Sequence, residues 1–290
     1  MSDSKVLVIG LPFTGKTTFL AALWAVVSSG EVPGSLTLEK LEGDKQYLNE
    51  IRATWADVQK LDRTKIADER VVSMRLKDEA SGRCGEILFR DMSGESFEQQ
   101  WTHRIWSQDY ATLVQEAGGA ILFVHPRQVK DTVLIAKKDA AAAIIRGSAT
   151  EEPAPAESSG GKLPQYPTYS STQIHLVEAL QFILRERERS HLRLSVVVSA
   201  WDLIETAYGK GKVTPEQWLA SSLPLLDQFI RANHESISLS VFGVSAQGGE
   251  LSEAKELRKT MRAVDRIEVV PTSGGSNDIT LPVRWATGMD

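Results

Sequence analysis

Lys5-Val6-Leu7-Val8-Ile9 is an apolar run that leads without a break into Gly10-Leu11-Pro12-Phe13-Thr14-Gly15-Lys16-Thr17-Thr18, and from Phe19 onward apolar residues recur at helical spacing. A strand, a Gly-x-x-x-x-Gly-Lys-Thr turn and a helix in that order make a phosphate-binding loop. The glycines let consecutive backbone N–H groups turn inward on phosphate oxygens, and the helix start adds the positive end of its dipole. In that setting Lys16 reaches the β- and γ-phosphates, Thr17 offers its hydroxyl to Mg2+, and Thr18 begins the packed face of the helix. The plain alternative is a chance glycine-rich turn, and the flanking strand and helix weigh against it.

With 290 residues, 42% hydrophobic and 24% charged, the chain can bury a sizeable core as one domain over residues 1–290, with insertions. A net charge of -5 and a pI near 5.7 argue against broad phosphate-backbone binding, so no nucleic acid partner is expected. The lone Cys84 excludes an internal disulfide, and the opening Met1-Ser2-Asp3-Ser4 is polar rather than signal-like, which together point to the cytoplasm. The longest apolar run, Phe19 to Val27, falls well short of the roughly 20 residues that span a bilayer, so no membrane segment is expected.

Taken in order, the first helix should end at Ser28-Ser29-Gly30, where Gly30 can adopt a left-handed conformation and Pro33 cannot continue the helix. Residues 31–61 read as an insertion, part extended and part amphipathic helix (Tyr47, Leu48, Ile51, Trp55, Val58, Leu61), covering the nucleotide side. Val71–Leu76 and Glu86–Arg90 are strands joined closely enough to form only an antiparallel hairpin. Phe97, Trp101 and Ile105 mark a helix that should close at Gly118-Gly119 before the strand Ala120–Val124. Trp101 and Trp106 fit either a partner surface or the core.

Val129–Arg146 reads as an alanine-rich helix, and residues 147–171 as a disordered surface insertion dominated by Glu, Pro, Ala, Ser and Gly. A helix from Thr172 to about Ser190 should face inward through Ile174, Val177, Leu180, Phe182 and Leu184. Strands follow at Leu194–Val198 and Ile237–Val244. Between them Thr214-Pro215-Glu216-Gln217 is a capping box opening a helix that Pro224 should kink. A polar helix near Glu253–Arg262, a Gly/Ser linker at Ser273–Asn277 and a closing helix from Leu281 complete the chain. Strands alternating with helices predict an α/β fold of three layers around a mostly parallel sheet, here six-stranded with one antiparallel strand, whose ligands sit at the carboxyl ends of the strands.

Polar motifs stand at those ends. Asp91-Met92-Ser93-Gly94 follows the hairpin's second strand, where a carboxylate can hold Mg2+ through water and the Gly94 N–H can meet a γ-phosphate. Ser199-Ala200-Trp201-Asp202 and Ser245-Ala246-Gln247 end two later strands. His103, His125, His175, His191 and His234 lie on different elements without ligand spacing, so no transition-metal site is read.

With this order of motifs the chain resembles the Ras-like, translation-factor-related P-loop GTPase superfamily. Its opening Gly-Leu-Pro-Phe-Thr-Gly-Lys-Thr-Thr-Phe-Leu-Ala-Ala-Leu-Trp and closing Leu-Pro-Val-Arg-Trp look like the bacterial double-GTPase group, encoded in predicted conflict or phage-defence operons. The resemblance implies GTP or GDP as ligand with Mg2+, GTP hydrolysis, and action as a switch on effector or operon-partner proteins, a second GTPase among them.

The same resemblance implies roles for single residues. Asp202 would pair with guanine N1 and N2, and Ala246, next to Ser245, would meet the guanine O6 through its N–H. Ala200 departs from the pattern, since a lysine that lies along the base is expected there. Thr64, with Thr54 second, would be the switch threonine that meets Mg2+ and the γ-phosphate. Arg63 would serve as an internal arginine finger, against the plain reading of an exposed arginine. Glu95 stands where a water-orienting glutamine is expected, and a carboxylate beside the γ-phosphate, like Pro12 in a position usually held by a small residue, implies slow hydrolysis. Two rivals stand beside this reading: an ATPase or nucleotide kinase, and a nucleotide-binding scaffold that does not hydrolyse.

Overall fold

The computed structural model describes residues 4–61, 70–91, 107–130, 171–187, 191–260, 262–271 and 274–290. Its frame is an eight-stranded sheet made of β1 (Ser4–Gly10), β2 (Thr37–Glu42), β3 (Arg70–Lys77), β4 (Cys84–Asp91), β5 (Ala117–Val124), β6 (Leu192–Ser199), β7 (Ile237–Ser245) and β8 (Glu268–Val270). The strand order is β2-β3-β4-β1-β5-β6-β7-β8, with β4, β1, β5, β6 and β7 mutually parallel. The β2–β3, β3–β4 and β7–β8 pairs are antiparallel. The mostly parallel sheet and the hairpin are as the sequence predicts. The count is larger by the two edge strands, because β2 is half-exposed with a mixed pattern and β8 spans only three residues, so neither has an apolar run.

Helices cover both faces. On one side lie α1 (Lys16–Ser29) and α2 (Lys45–Ala56); on the other lie α3 (Gln108–Glu116), α4 (Thr172–Glu186), α5 (Trp201–Tyr208), α6 (Pro215–Ser222) and α7 (Pro224–Ala232). Further on come α8 (Ala254–Thr260) and α9 (Leu281–Thr287), the latter packed on the α1 side of the sheet. The central strands are buried on both faces, which is why their sequences run apolar rather than alternating. Residues 19–27 of α1 are buried all round, between the sheet and α2, and Trp24 Nε1 donates to Asn49 Oδ1 of α2 at 3.0 Å. Gly30 closes α1 at φ 66, its N–H returning to the Val26 carbonyl.

Several expected boundaries move. Helix α3 stops at Glu116, and Gly118-Gly119 lie inside β5, where a Cβ on Gly119 would meet the Ala286 carbonyl oxygen at 2.1 Å. Gly119 therefore admits α9 against the sheet rather than ending a helix. The buried stripe of α4 is Thr172, Leu176, Ala179, Leu180 and Ile183, while Ile174, Val177, Phe182 and Leu184 sit on its flanks. Phe182 and Leu184 are two apart and cannot share one face of a helix, whereas the buried residues recur at spacings of three and four. Pro224 breaks rather than kinks, starting α7 immediately after Leu223, and the Thr214–Gln217 capping box is formed in both directions at 3.2 and 3.0 Å. In the Gly/Ser stretch, Ser276 pairs with Val269 and so extends the sheet edge. The expected helix at Phe97–Ile105, and all but the ends of the helix expected over Val129–Arg146 and of the insertion expected over 147–171, lie outside the described residues; of those ends, Val129 is extended and Ser171 is buried at the N-cap of α4.

Candidate functional site

The carboxyl ends of β1, β5, β6 and β7 converge on one side of the sheet, and the phosphate-binding loop sits among them. Thr14 is buried and donates through Oγ1 to the Leu11 carbonyl at 2.7 Å, which fixes the loop from inside. Gly15 takes a left-handed conformation at φ 84 at the start of α1, and a Cβ added there would meet Ser199 Cβ at 3.1 Å. Lys16 folds back over the loop, its ammonium donating to the Gly10 and Leu11 carbonyls at 3.0 and 2.8 Å. Phe13, at φ 62, is exposed at the loop's tip, with Pro12 half-buried beside it. Thr17 and Thr18 occupy the first turn of α1.

Beside this loop opens a cavity of about 520 Å³, bounded by Gly15, Thr18, Phe19, Asp202, Ala246 and their neighbours. Asp202 enters from the first turn of α5, which Ala200 initiates in a left-handed conformation at φ 48. The buried Ser245 hydroxyl donates to Asp202 Oδ1 at 2.6 Å, holding the carboxylate toward the end of β7. Ser199 Oγ donates to the Val124 carbonyl at 3.1 Å and stitches the ends of β5 and β6 together beneath it. The structure thus brings together Gly10 to Thr18, Asp202, Ser245 and Ala246, which are distant in sequence.

The inserted α2 reaches the same site from the side. Trp55 is buried, its indole N–H donates to the Ala246 carbonyl at 2.9 Å, and Gln247 Nε2 returns a bond to the Trp55 carbonyl at 3.2 Å. Arg266 lies over the Trp55 ring at 5.5 Å and donates to the Trp55 and Ala56 carbonyls at 3.3 and 3.1 Å. Burial lowers the Arg266 pKa from its ordinary value, an effect opposed by Asp57. Just past α2, Val58 is buried at φ 51, a conformation that costs a β-branched residue about 1–3 kcal/mol and that turns Gln59, Lys60 and Leu61 onto the cavity wall.

Sequence reasoning missed the residues that follow β5. His125, half-buried in the cavity wall, accepts the Arg127 N–H on Nδ1 at 3.1 Å, so its neutral ring carries the proton on Nε2. Burial first and Arg127 second lower its pKa, against the pull of Asp202. Arg127, on the short 3-10 turn Pro126–Gln128, forms an ion pair with Glu250 from the loop after β7. The signal was available: His125-Pro126-Arg127 directly follows an apolar strand, the position that singled out the other strand-end motifs.

Other expected site residues fall elsewhere. Asp91 closes β4, next to β1 in the sheet, though its side chain is outside the described residues, as are Arg63, Thr64, Gly94 and Glu95. Thr54 lies within α2, where its hydroxyl donates to the Glu50 carbonyl at 3.0 Å. Among the described residues no cluster of His, Cys, Asp and Glu could hold a metal ion, and no helix is long and apolar enough to cross a membrane.

A family model described as Double-GTPase 1 matches residues 7–286. Among solved structures, the chain is similar to a bacterial selenocysteine-specific elongation factor, EF-Sec, with 15% identity and a TM-score of 0.37 over 90% of this chain and 28% of that one. It is also similar to Sup35 complexed with GDP, with 14% identity and a TM-score of 0.33 over 85% of this chain and 38% of that one. A third is the signal recognition particle receptor SRb-GTP/SRX complex from Chaetomium thermophilum, with 11% identity and a TM-score of 0.39 over 89% of this chain and 97% of that one. The chain therefore spans well under half the length of the first two. No curated relative matches the sequence.

Proposed function

The chain belongs to the Double-GTPase 1 family, and from that premise we propose that it binds GTP and GDP with Mg2+, hydrolyses GTP to GDP and phosphate by water attack, and acts as a switch on protein partners. The observation that carries this reading is Asp202, a carboxylate held by Ser245 in a cavity that adjoins the phosphate-binding loop. A carboxylate there accepts from the N1–H and N2–H₂ of guanine, whereas adenine offers neither donor and leaves it unpaired.

The phosphates would lie on the backbone N–H groups between Leu11 and Thr17, with the Lys16 ammonium exchanging its two carbonyl partners for phosphate oxygens. The Thr17 hydroxyl stands in the first turn of α1 and Asp91 is the last residue of β4; a hydroxyl and a carboxylate are hard oxygen donors of the kind that suit Mg2+. When bound, that ion neutralises charge on the β- and γ-phosphate oxygens. In this reading Thr64 would be a further ligand of the metal, the Gly94 N–H would meet the γ-phosphate, Glu95 would orient the water, and Arg63 would steady the charge that develops on the transferring group. Glu95 also places a negative charge beside the γ-phosphate, so intrinsic turnover is slow. The partners in view are effector or operon proteins of a bacterial defence system, a second GTPase among them, in the cytoplasm.

The test compares GTP with ATP, in binding and in phosphate release over many turnovers. Wild type should prefer GTP by orders of magnitude, and Asp202→Asn should lose GTP and gain xanthosine triphosphate, whose C2 oxygen accepts from the new amide. Equal binding of ATP and GTP would hand the site to an ATPase or kinase. Tight GTP binding without turnover would make it a scaffold.

A further inference from the structure

The cavity beside the phosphate-binding loop holds a carboxylate for the edge of a base, but Ala200, at the start of α5 beside Asp202, offers only a methyl group to its face. The cations on the cavity wall are Lys60 and Arg127 among the described residues. They are not equivalent. Lys60 ends in a compact ammonium on an exposed loop, whereas Arg127 ends in a flat guanidinium whose backbone and side chain are both fixed.

Its backbone is set by the His125 ring, which accepts the Arg127 N–H at 3.1 Å, and by Thr172, whose hydroxyl donates to the Gln128 carbonyl at 3.0 Å and accepts the Lys130 N–H at 2.9 Å. Its side chain is set by Glu250, which accepts from Nη2. A guanidinium N–H donates from the edge of the planar group, so a partner such as Glu250 does not compete with a ligand that stacks on a face. The pair also joins the ends of β5 and β7 across the mouth of the cavity, on the rim of the volume that Asp202 serves. His125, Arg127 and Asp202 all line this cavity.

We propose that Arg127, held edge-on by Glu250, stacks on the bound purine and is the base-flanking cation of this site. The proposal rests on the nucleotide-binding reading above and deepens it. A cation over an aromatic face at a partly exposed rim contributes about 1 kcal/mol, or roughly fivefold in affinity. Because the contact is to the base alone, it should be absent from a ligand that has phosphates and ribose only.

Calorimetric titration of wild type, Arg127→Ala, Arg127→Lys and Glu250→Gln with GDP and with ribose 5-diphosphate tests this. Arg127→Ala should weaken GDP about fivefold and leave ribose 5-diphosphate unchanged. Arg127→Lys should keep part of the loss, and Glu250→Gln should give a smaller loss confined to GDP. GDP affinity within twofold of wild type in Arg127→Ala overturns the proposal. So do equal losses for both ligands, which would mean that the guanidinium acts on phosphate. If wild type holds ribose 5-diphosphate as tightly as GDP, the base-binding reading itself fails, a result visible before any variant is made.

Discussion

Lys16 carries the most direct test of the site. Its ammonium donates to two loop carbonyls at 3.0 and 2.8 Å, half-buried but near solvent, so replacing it with alanine removes little from the core. Lys16→Ala should leave ligand-free stability within ~0.5 kcal/mol of wild type and weaken GTP by about tenfold to a hundredfold, since hydrogen bonds to charged groups are worth ~1.5–3 kcal/mol each. Wild-type affinity in that variant would remove the loop from the site. The loop was legible because its chemistry is local: glycines, a lysine and hydroxyls must be contiguous for backbone N–H groups to converge. His125 and Arg127 were not singled out, because their meaning depends on Asp202 and Glu250, which only the folded sheet brings near.

At the scale of elements, the amphipathic stretch within 31–61 was readable as a helix, but not what it holds. Periodicity marks Leu48, Ile51 and Trp55 as buried, and they are. It cannot say that the indole of Trp55 reaches the Ala246 carbonyl, some 191 positions away, and so ties α2 to the loop proposed to meet the base. Trp55→Phe keeps an aromatic ring under Arg266 but removes the N–H and part of the indole's volume, leaving a buried carbonyl without that donor and a small cavity beside it. The cost should be ~1–3 kcal/mol, a melting temperature lower by a few degrees, and GDP binding should weaken with it as the Ala246 loop loosens. Unchanged melting and unchanged GDP affinity in Trp55→Phe would show that α2 packs beside the site without positioning it. The edge strand β8 escaped the sequence, and β2 was legible only as an extended piece without a place in the sheet, for a related reason: an edge needs pairing partners more than it needs an apolar run.

Across the whole molecule, the closing helix α9 joins elements that are far apart in the chain, and one of its ties is a largely buried ion pair. Arg284 donates to Asp78 Oδ1 at 2.8 Å and to the Gly34 carbonyl at 2.7 Å, joining α9 to the β3–β4 turn and to the segment after α1. The two side chains are 17% and 8% exposed, so solvent screens the pair only partly. The Ser81 hydroxyl first, and Arg284 second, hold the Asp78 carboxyl at a pKa of about 2, below its ordinary 3.8. As pH falls, the unfolded chain therefore takes up this proton before the native one does. The resulting stability is complete above about pH 4 and is lost progressively as pH falls through about 2. A depression of this size is worth ~1–2 kcal/mol after allowance for residual screening. Asp78→Asn should lose that amount at pH 7, leaving Arg284 without its counter-charge, and its melting temperature should fall less steeply than that of wild type between pH 4 and 2. The difference between the two curves isolates the Asp78 carboxyl, with its Ser81 and Arg284 partners, from the exposed carboxylates, which titrate alike in both proteins. Parallel curves across that window would mean that α9 is held by its apolar contacts with the sheet and not by the charge.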